Sequence, residues 1–352
     1  MMTCKQLWLV GALVLACAAP VPALAADRQG GHVCGRDDRP PPAPRDAELA
    51  LVGQYGTKEG ILDVSEACGR LYADGRGLKA APLTHRFGRT YAAARPQSAP
   101  VVLVFNTGRP ATAVRLGGQR LTRHDFGAEV VARIRATVKA DPVGLRRAAL
   151  AASPPDEPAP KRTSDLVSVP SLDSTIRRDT IYASRRNLLG IPIYERGGAF
   201  LQRPAAEALV RVSRGLKAKG YGLLITDAYR PWYATKMFWD ATPPEDHNFV
   251  ADPSQGSLHN RGCAVDLTLY DLKTGRQVEM TGRIDEMSAR SFPTYAGGTS
   301  RQRWLRDLLR AEMEKQGFTV YTDEWWHFDY RDWPAYGIGT ATYSELEAGL
   351  AH

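Results

Sequence analysis

A chain of 352 residues is too long for one ordinary small domain and about right for two. With 43% hydrophobic and 24% charged residues, general disorder is excluded. The net charge of +8 comes from scattered basic residues without an aromatic-interleaved patch. That excludes the usual nucleic-acid binders and leaves a weak attraction to anionic surfaces.

Residues 1–25 have the order of a secretory signal: Lys5 as the one charge, an apolar run from Leu7 to Cys17, then Ala23-Leu24-Ala25. Cleavage is expected after Ala25, giving an exported chain with a periplasmic location. A lipoprotein anchored at Cys17 and a secreted protein are the alternatives. The apolar run falls short of the roughly 20 residues that span a bilayer, and no transmembrane segment is expected elsewhere. Once the signal is removed, Cys34, Cys68 and Cys263 remain. Cys34 and Cys68 are able to pair in an oxidising compartment, which leaves Cys263 over. There is no C-x-x-C spacing, so a cysteine-based metal site is not expected.

Residues 26–45, with Pro40-Pro41-Pro42, read as a flexible lead-in. Residues 46–125 have short apolar runs broken by glycine, such as Gly60–Val64, Val101–Phe105 and Ala113–Leu116. That pattern predicts a small antiparallel β-meander domain. Residues 126–161 combine a helical stretch, Phe126–Ala152, with a proline-rich linker, Ser153–Lys161. Residues 162–340 form the second domain. A helix is predicted over Ala205–Lys219, with Leu209, Val212 and Leu216 on one face and Gly220 as its stop. Strands are predicted over Gly222–Ala228, Ala264–Tyr270 and Phe318–Tyr330, and a second helix over Trp304–Gln316. The domain is therefore α+β, with a mostly antiparallel sheet and flanking helices.

Three short stretches carry chemistry. In Ser257–Asp266, His259 sits in a loop and Asp266 in an apolar strand, where a bare carboxylate is costly unless a cation or an arginine compensates it. In Glu324-Trp325-Trp326-His327, a third ligand and a general base stand three residues apart. A catalytic zinc wants three protein ligands and one open position, which His259, Asp266 and His327 would supply. Residues three apart point to opposite faces of a regular strand, so a bulge or strand end is predicted between Glu324 and His327. In Asp227–Pro231, Arg230 is placed to stabilise an oxyanion or fork a carboxylate. A metal-free Asp–Arg pair and a structural salt bridge from Arg230 to Asp227 remain open readings of the same residues.

These three motifs, Asp227-Ala228-Tyr229-Arg230-Pro231, Ser257-x-His259-x-x-Gly262-x-Ala264-x-Asp266 and Glu324-Trp325-Trp326-His327, together resemble the D-alanyl-D-alanine dipeptidase family over roughly Ser164 to Trp333. The resemblance implies one zinc per chain on His259, Asp266 and His327, with Glu324 as general base and Arg230 supporting the transition state. It also implies Asp285, Tyr182 and Ser257 in the substrate pocket, Asp285 holding the amino group. The implied substrate is the free dipeptide D-Ala-D-Ala from cell-wall turnover, with peptidoglycan as a further partner. A zinc carboxypeptidase on longer wall peptides and an inert wall-binding module are the alternatives. The export signal and the residues before Ser164 depart from a minimal cytoplasmic dipeptidase.

Overall fold

The computed structural model describes residues 39–95, 98–125, 127–157 and 161–349. The expected signal peptide, and the expected lead-in up to residue 38, lie outside the described residues.

One helical turn, α1 (Asp46–Leu49), precedes eight strands: β1 (Gly53–Thr57), β2 (Gly60–Ala67), β3 (Arg70–Gly75), β4 (Leu78–Phe87), β5 (Thr90–Arg95), β6 (Ser98–Phe105), β7 (Ala113–Leu116) and β8 (Gln119–Thr122). They pair in sequence order, each antiparallel to the next. The reversals are local. Cys68-Gly69 and Gly117-Gly118 connect their strands with both residues at positive φ, the two-residue turn whose twist suits a hairpin. Inward side chains, among them Tyr55, Leu62, Leu71, Leu103 and Leu116, share one core. Tyr55 bridges to Arg123, so the first strand meets the end of the last. Cys68 is disulfide-bonded; its expected partner Cys34 lies outside the described residues.

Two helices follow, α2 (Ala128–Ala140) and α3 (Pro142–Ala151). The single helical stretch expected here breaks at Asp141. Its carboxylate accepts from Gly144 N at 2.7 Å and Pro142 occupies the first position of α3, so the sequence starts a new helix there. The proline-rich segment after α3 is anchored. Glu157 accepts from Arg261 Nη1 and from Ile338 N, both at 2.6 Å.

The C-terminal half contains β9 (Leu166–Ser168), α4 (Val169–Leu172), β10 (Arg177–Arg178), β11 (Phe200–Gln202), α5 (Arg203–Lys217), β12 (Tyr221–Asp227), α6 (Trp232–Ala241), β13 (Ala264–Asp271), α7 (Ser300–Glu314), β14 (Phe318–Tyr321), β15 (Glu324–Tyr330) and α8 (Tyr343–Glu347). Five strands form one sheet in the order β10-β12-β13-β15-β14, parallel only between β10 and β12. The chain is thus mixed α+β. The apolar stripes of α5 (Leu209, Val212, Leu216) and α7 (Leu305, Leu309, Met313) pack on Leu223, Ile225, Val265 and Leu267 of the sheet. Burying such side chains contributes roughly 1.5–3 kcal/mol each.

Two sequence expectations change. Phe318–Tyr330 is a hairpin of β14 and β15 rather than one strand, because Thr322-Asp323 form a tight turn. Helix α6 was not foreseen. Trp232, Tyr233, Ala234, Thr235, Met237 and Phe238 are all buried, so the helix has little polar face to reveal its period.

Candidate active site

Three adjacent strands deliver the site at one level of the sheet. Asp227 of β12 pairs with Asp266 of β13, which pairs with His327 of β15. His259 arrives from the short helical turn Leu258–Arg261 that precedes β13. Gly262 ends this turn at φ 67°, and a Cβ there would meet Leu166 Cδ2 at 2.4 Å. Only glycine lets the chain fold back so tightly. The Ser257 hydroxyl caps the turn by accepting from His259 N at 3.3 Å.

His259 Nε2 lies 3.1 Å from His327 Nδ1 and 3.4 Å from Asp266 Oδ2, and His327 Nδ1 lies 3.1 Å from Asp266 Oδ1. The far nitrogens set the tautomers. His259 Nδ1–H donates to Ala228 O at 2.6 Å, and His327 Nε2–H donates to Asp329 Oδ1 at 2.9 Å. The facing nitrogens are then lone pairs, directed at each other and at a carboxylate. Such an arrangement is repulsive without a positive centre. A proton on one histidine relieves part of it, whereas a cation among all three satisfies every lone pair. Zinc bonded at about 2.0–2.1 Å in a tetrahedron separates its ligands by about 3.3 Å, close to the spacings here. His259, Asp266 and His327 therefore fit the metal, with Ala228 and Asp329 as the outer partners that orient the rings.

The irregularity expected between Glu324 and His327 is present. Val320 pairs with Phe328 while Tyr321 pairs with Glu324, so Trp325, Trp326 and His327 bulge out of register. Trp325 and Trp326 are buried, and Glu324 Oε2 comes within 3.8 Å of His327 Nδ1. Arg230 Nε donates to Asp227 Oδ2 at 2.9 Å, and its guanidinium lies over Tyr182 and Phe238. Its Nη2 reaches Asp266 Oδ2 at 3.6 Å. The salt bridge to Asp227, one of the readings left open from sequence, is thus real, and the same arginine still borders the cavity. Asp285 accepts from Tyr182 OH at 3.0 Å through Oδ1, while its buried Oδ2 has no partner.

Electrostatics follow from this crowding. Burial works against the Asp266 carboxylate, but positive charge and N–H donors on the facing sides of His259 and His327, which stand in the place a cation would take, override it and hold it below its usual range. Burial also pushes the Glu324 carboxyl up, to about 8, against the pull of His327. A cation on the ligand set would lower it again. Burial, then the charge of Asp266, push Asp285 up to about 7.

All the residues picked from sequence, namely Glu324, Arg230, His259, Asp266, His327, Asp285, Tyr182 and Ser257, border one cavity of about 520 Å³. Cys263 is not among its lining residues. It is buried in the apolar core, where burial pushes its thiol up to about 12. Sequence reasoning missed Asp329 as the partner of His327. Its position two residues along the same strand face was the available signal.

Paired histidines and a carboxylate at the end of a sheet, with a further carboxylate beside them, have the parts of a mononuclear metallohydrolase site. Comparison with known proteins narrows this. The family model described as D-ala-D-ala dipeptidase matches residues 162–345, and the chain belongs to this peptidase family. A D-alanyl-D-alanine dipeptidase of Escherichia coli (strain K12) is 35% identical over 167 residues, 47% of this chain and 85% of that protein. One of Enterococcus faecium is 36% identical over 179 residues, 45% of this chain and 88% of that protein. One of Streptomyces coelicolor is 32% identical over 193 residues, 49% of this chain and 94% of that protein. A solved structure described as the crystal structure of SurE with D-Leu is 21% identical with a TM-score of 0.20, over 24% of this chain and 22% of that one, too little to bear on the fold.

Proposed function

We propose that this chain hydrolyses D-alanyl-D-alanine to free D-alanine, using one zinc ion held by His259, Asp266 and His327. The observation that carries the reading is the convergence of three lone-pair donors, with tautomers set by Ala228 and Asp329, beside Glu324. Bound zinc would act as a Lewis acid and bring the pKa of a water to about 7.

The chain's own groups do the rest. Glu324 takes a proton from the attacking water as the water oxygen bonds to the scissile carbonyl carbon. Arg230, stiffened by Asp227 and by the rings of Tyr182 and Phe238, donates to the oxyanion. Glu324 then passes its proton to the amide nitrogen as the C–N bond breaks, releasing two molecules of D-alanine. The unpartnered Oδ2 of Asp285 accepts from the substrate ammonium, and Tyr182 orients that carboxylate. Ser257 shapes the pocket wall through the His259 turn.

Asp285 also favours the free dipeptide over longer wall peptides. An acylated amine forgoes the charge-assisted bond to Oδ2, which then stays buried without a partner, a difference of roughly 1–3 kcal/mol. The domain reading is a β-rich unit at 46–125, helices and linker at 126–161 and the catalytic domain at 162–340. Export to the periplasm rests on the pattern of residues 1–25 alone, and a role in cell-wall peptide turnover on the substrate. No helix of the described residues is long and apolar enough to cross a membrane.

The test is an assay of purified full chain, loaded with one equivalent of zinc, for release of D-alanine from D-Ala-D-Ala and from a wall pentapeptide. The dipeptide should be the better substrate, and chelation should stop the reaction. Activity that survives both chelation and Glu324→Ala overturns the reading.

A further inference from the structure

Asp285 sits in the long connection between β13 and α7, whose only helical piece is the short turn Ala289–Ser291. Its φ is 58°, a region that non-glycine residues enter at a cost. The surroundings must hold it there. Part of the hold is internal. Buried Glu286 accepts from Arg283 N at 2.9 Å and from Ser288 Oγ and Arg290 Nε, each at 2.6 Å.

The remainder comes from the first half of the chain, at points that follow Asp285 in sequence. Gly127, just before α2, lies so close that a Cβ would come within 3.0 Å of Met287 N. Tyr295 OH donates to Asp63 Oδ2 of β2 at 2.5 Å. Glu66 of β2 is the hub. It is 1% exposed, its N–H donates to Gly298 O at 2.9 Å, and its carboxylate accepts from Ser300 N and Ser300 Oγ, each at 3.1 Å. A further pair, Arg283–Asp125, is exposed and contributes little. Neither Glu66 nor Asp63 borders the cavity.

We infer that the β-meander, together with Gly127 just after it, is a positioning element for the substrate's amino end: Glu66, Asp63 and Gly127 pin residues 287–300 so that Asp285 stays aimed into the cavity. This rests on the amine-binding reading of Asp285 given above. It assigns the N-terminal sheet a part in selectivity for a free amine. Glu66 acts through Asp285 and touches no substrate.

The experiment compares zinc-loaded wild type, Glu66→Ala and Glu66→Gln on D-Ala-D-Ala and on N-acetyl-D-Ala-D-Ala, which has no ammonium. Amide hydrogen exchange is followed in parallel over 281–298 and over 258–271. Glu66→Ala should raise KM for the free dipeptide about tenfold, with kcat changed less than about threefold. Its KM for the acetylated dipeptide should not move. Glu66→Gln, which still offers an oxygen to Ser300, should recover most of the loss. Exchange should accelerate over 281–298 and stay unchanged over 258–271. Should Glu66→Ala fail to fold, Gly127→Val strikes a separate contact and carries the same comparison. An unchanged preference for the free amine in a folded variant overturns the inference. Should wild type cleave neither compound, the functional reading falls, and exchange alone decides: acceleration over 281–298 upholds the tether, and none overturns it.

Discussion

Asp329→Ala removes the acceptor of the 2.9 Å bond from His327 Nε2–H. That bond keeps Nδ1 free of hydrogen and turned toward Asp266 and His259. Without it the ring can take the other tautomer, with N–H pointing into the ligand cluster, where it blocks a metal. Loss of such an outer partner typically weakens metal binding 10–100-fold, equivalent to about 1.4–2.7 kcal/mol. The His327 side chain is 14% exposed and Asp329 21%, so water replaces the lost acceptor only in part, and the upper half of that range is expected. The assay is zinc titration against a competing chelator, followed by kcat at saturating zinc. Asp329→Asn, whose amide oxygen still accepts, should lose less than the alanine variant. Equal zinc affinity in wild type and Asp329→Ala would show that the tautomer argument is wrong.

Glu324→Gln should lower kcat by about 10²–10⁴ while zinc content stays at one per chain; loss of zinc instead would make Glu324 a ligand rather than the base. Arg230→Lys should lower kcat by about 10²–10³, because the single nitrogen of lysine cannot occupy both the Nε position that holds Asp227 and the Nη position that faces the cavity; a change under threefold would remove Arg230 from the chemistry. Asp285 is pushed up to about 7, and only its ionised form binds an ammonium. KM for the dipeptide should therefore fall as pH rises through the raised pKa of Asp285, which a cation on the ligand set brings below about 7 by offsetting the charge of Asp266, a limb that Asp285→Asn should lack. Asp173 is held near 2 by Lys217, Thr175 and Ser213 against the opposing effect of burial. Its unfolded value is about 3.9, so its contribution is complete above about pH 4 and lost as pH falls toward 2. Asp173→Asn should cost about 1–2 kcal/mol in urea unfolding at pH 7 and less at pH 3; equal cost at both refutes the charge assignment.

Local pattern made much of this protein legible. Leu209, Val212 and Leu216 announce α5 at helical spacing, and short apolar runs broken by glycine, such as Val101–Phe105 and Ala113–Leu116, announce the β-meander. The ligand types His259, Asp266 and His327 stand in motifs that resemble one family. The clash between strand geometry and the spacing of Glu324 and His327 was enough to require the bulge that β15 contains. Helix α6 was not legible, because a helix buried nearly all round has no alternation to read.

Other features are decided by pairing between distant segments, which no local period encodes. The register of β12, β13 and β15 puts Asp227, Asp266 and His327 in line. The carbonyl of Ala228 and the carboxylate of Asp329 then choose which nitrogen of each histidine faces the others. The contacts of Glu66 and Gly127 with 287–300 exist only once two halves of the chain have packed. Sequence determined which groups could bind a metal; the tertiary structure decided that their lone pairs converge, because direction is a property of packed neighbours and not of composition.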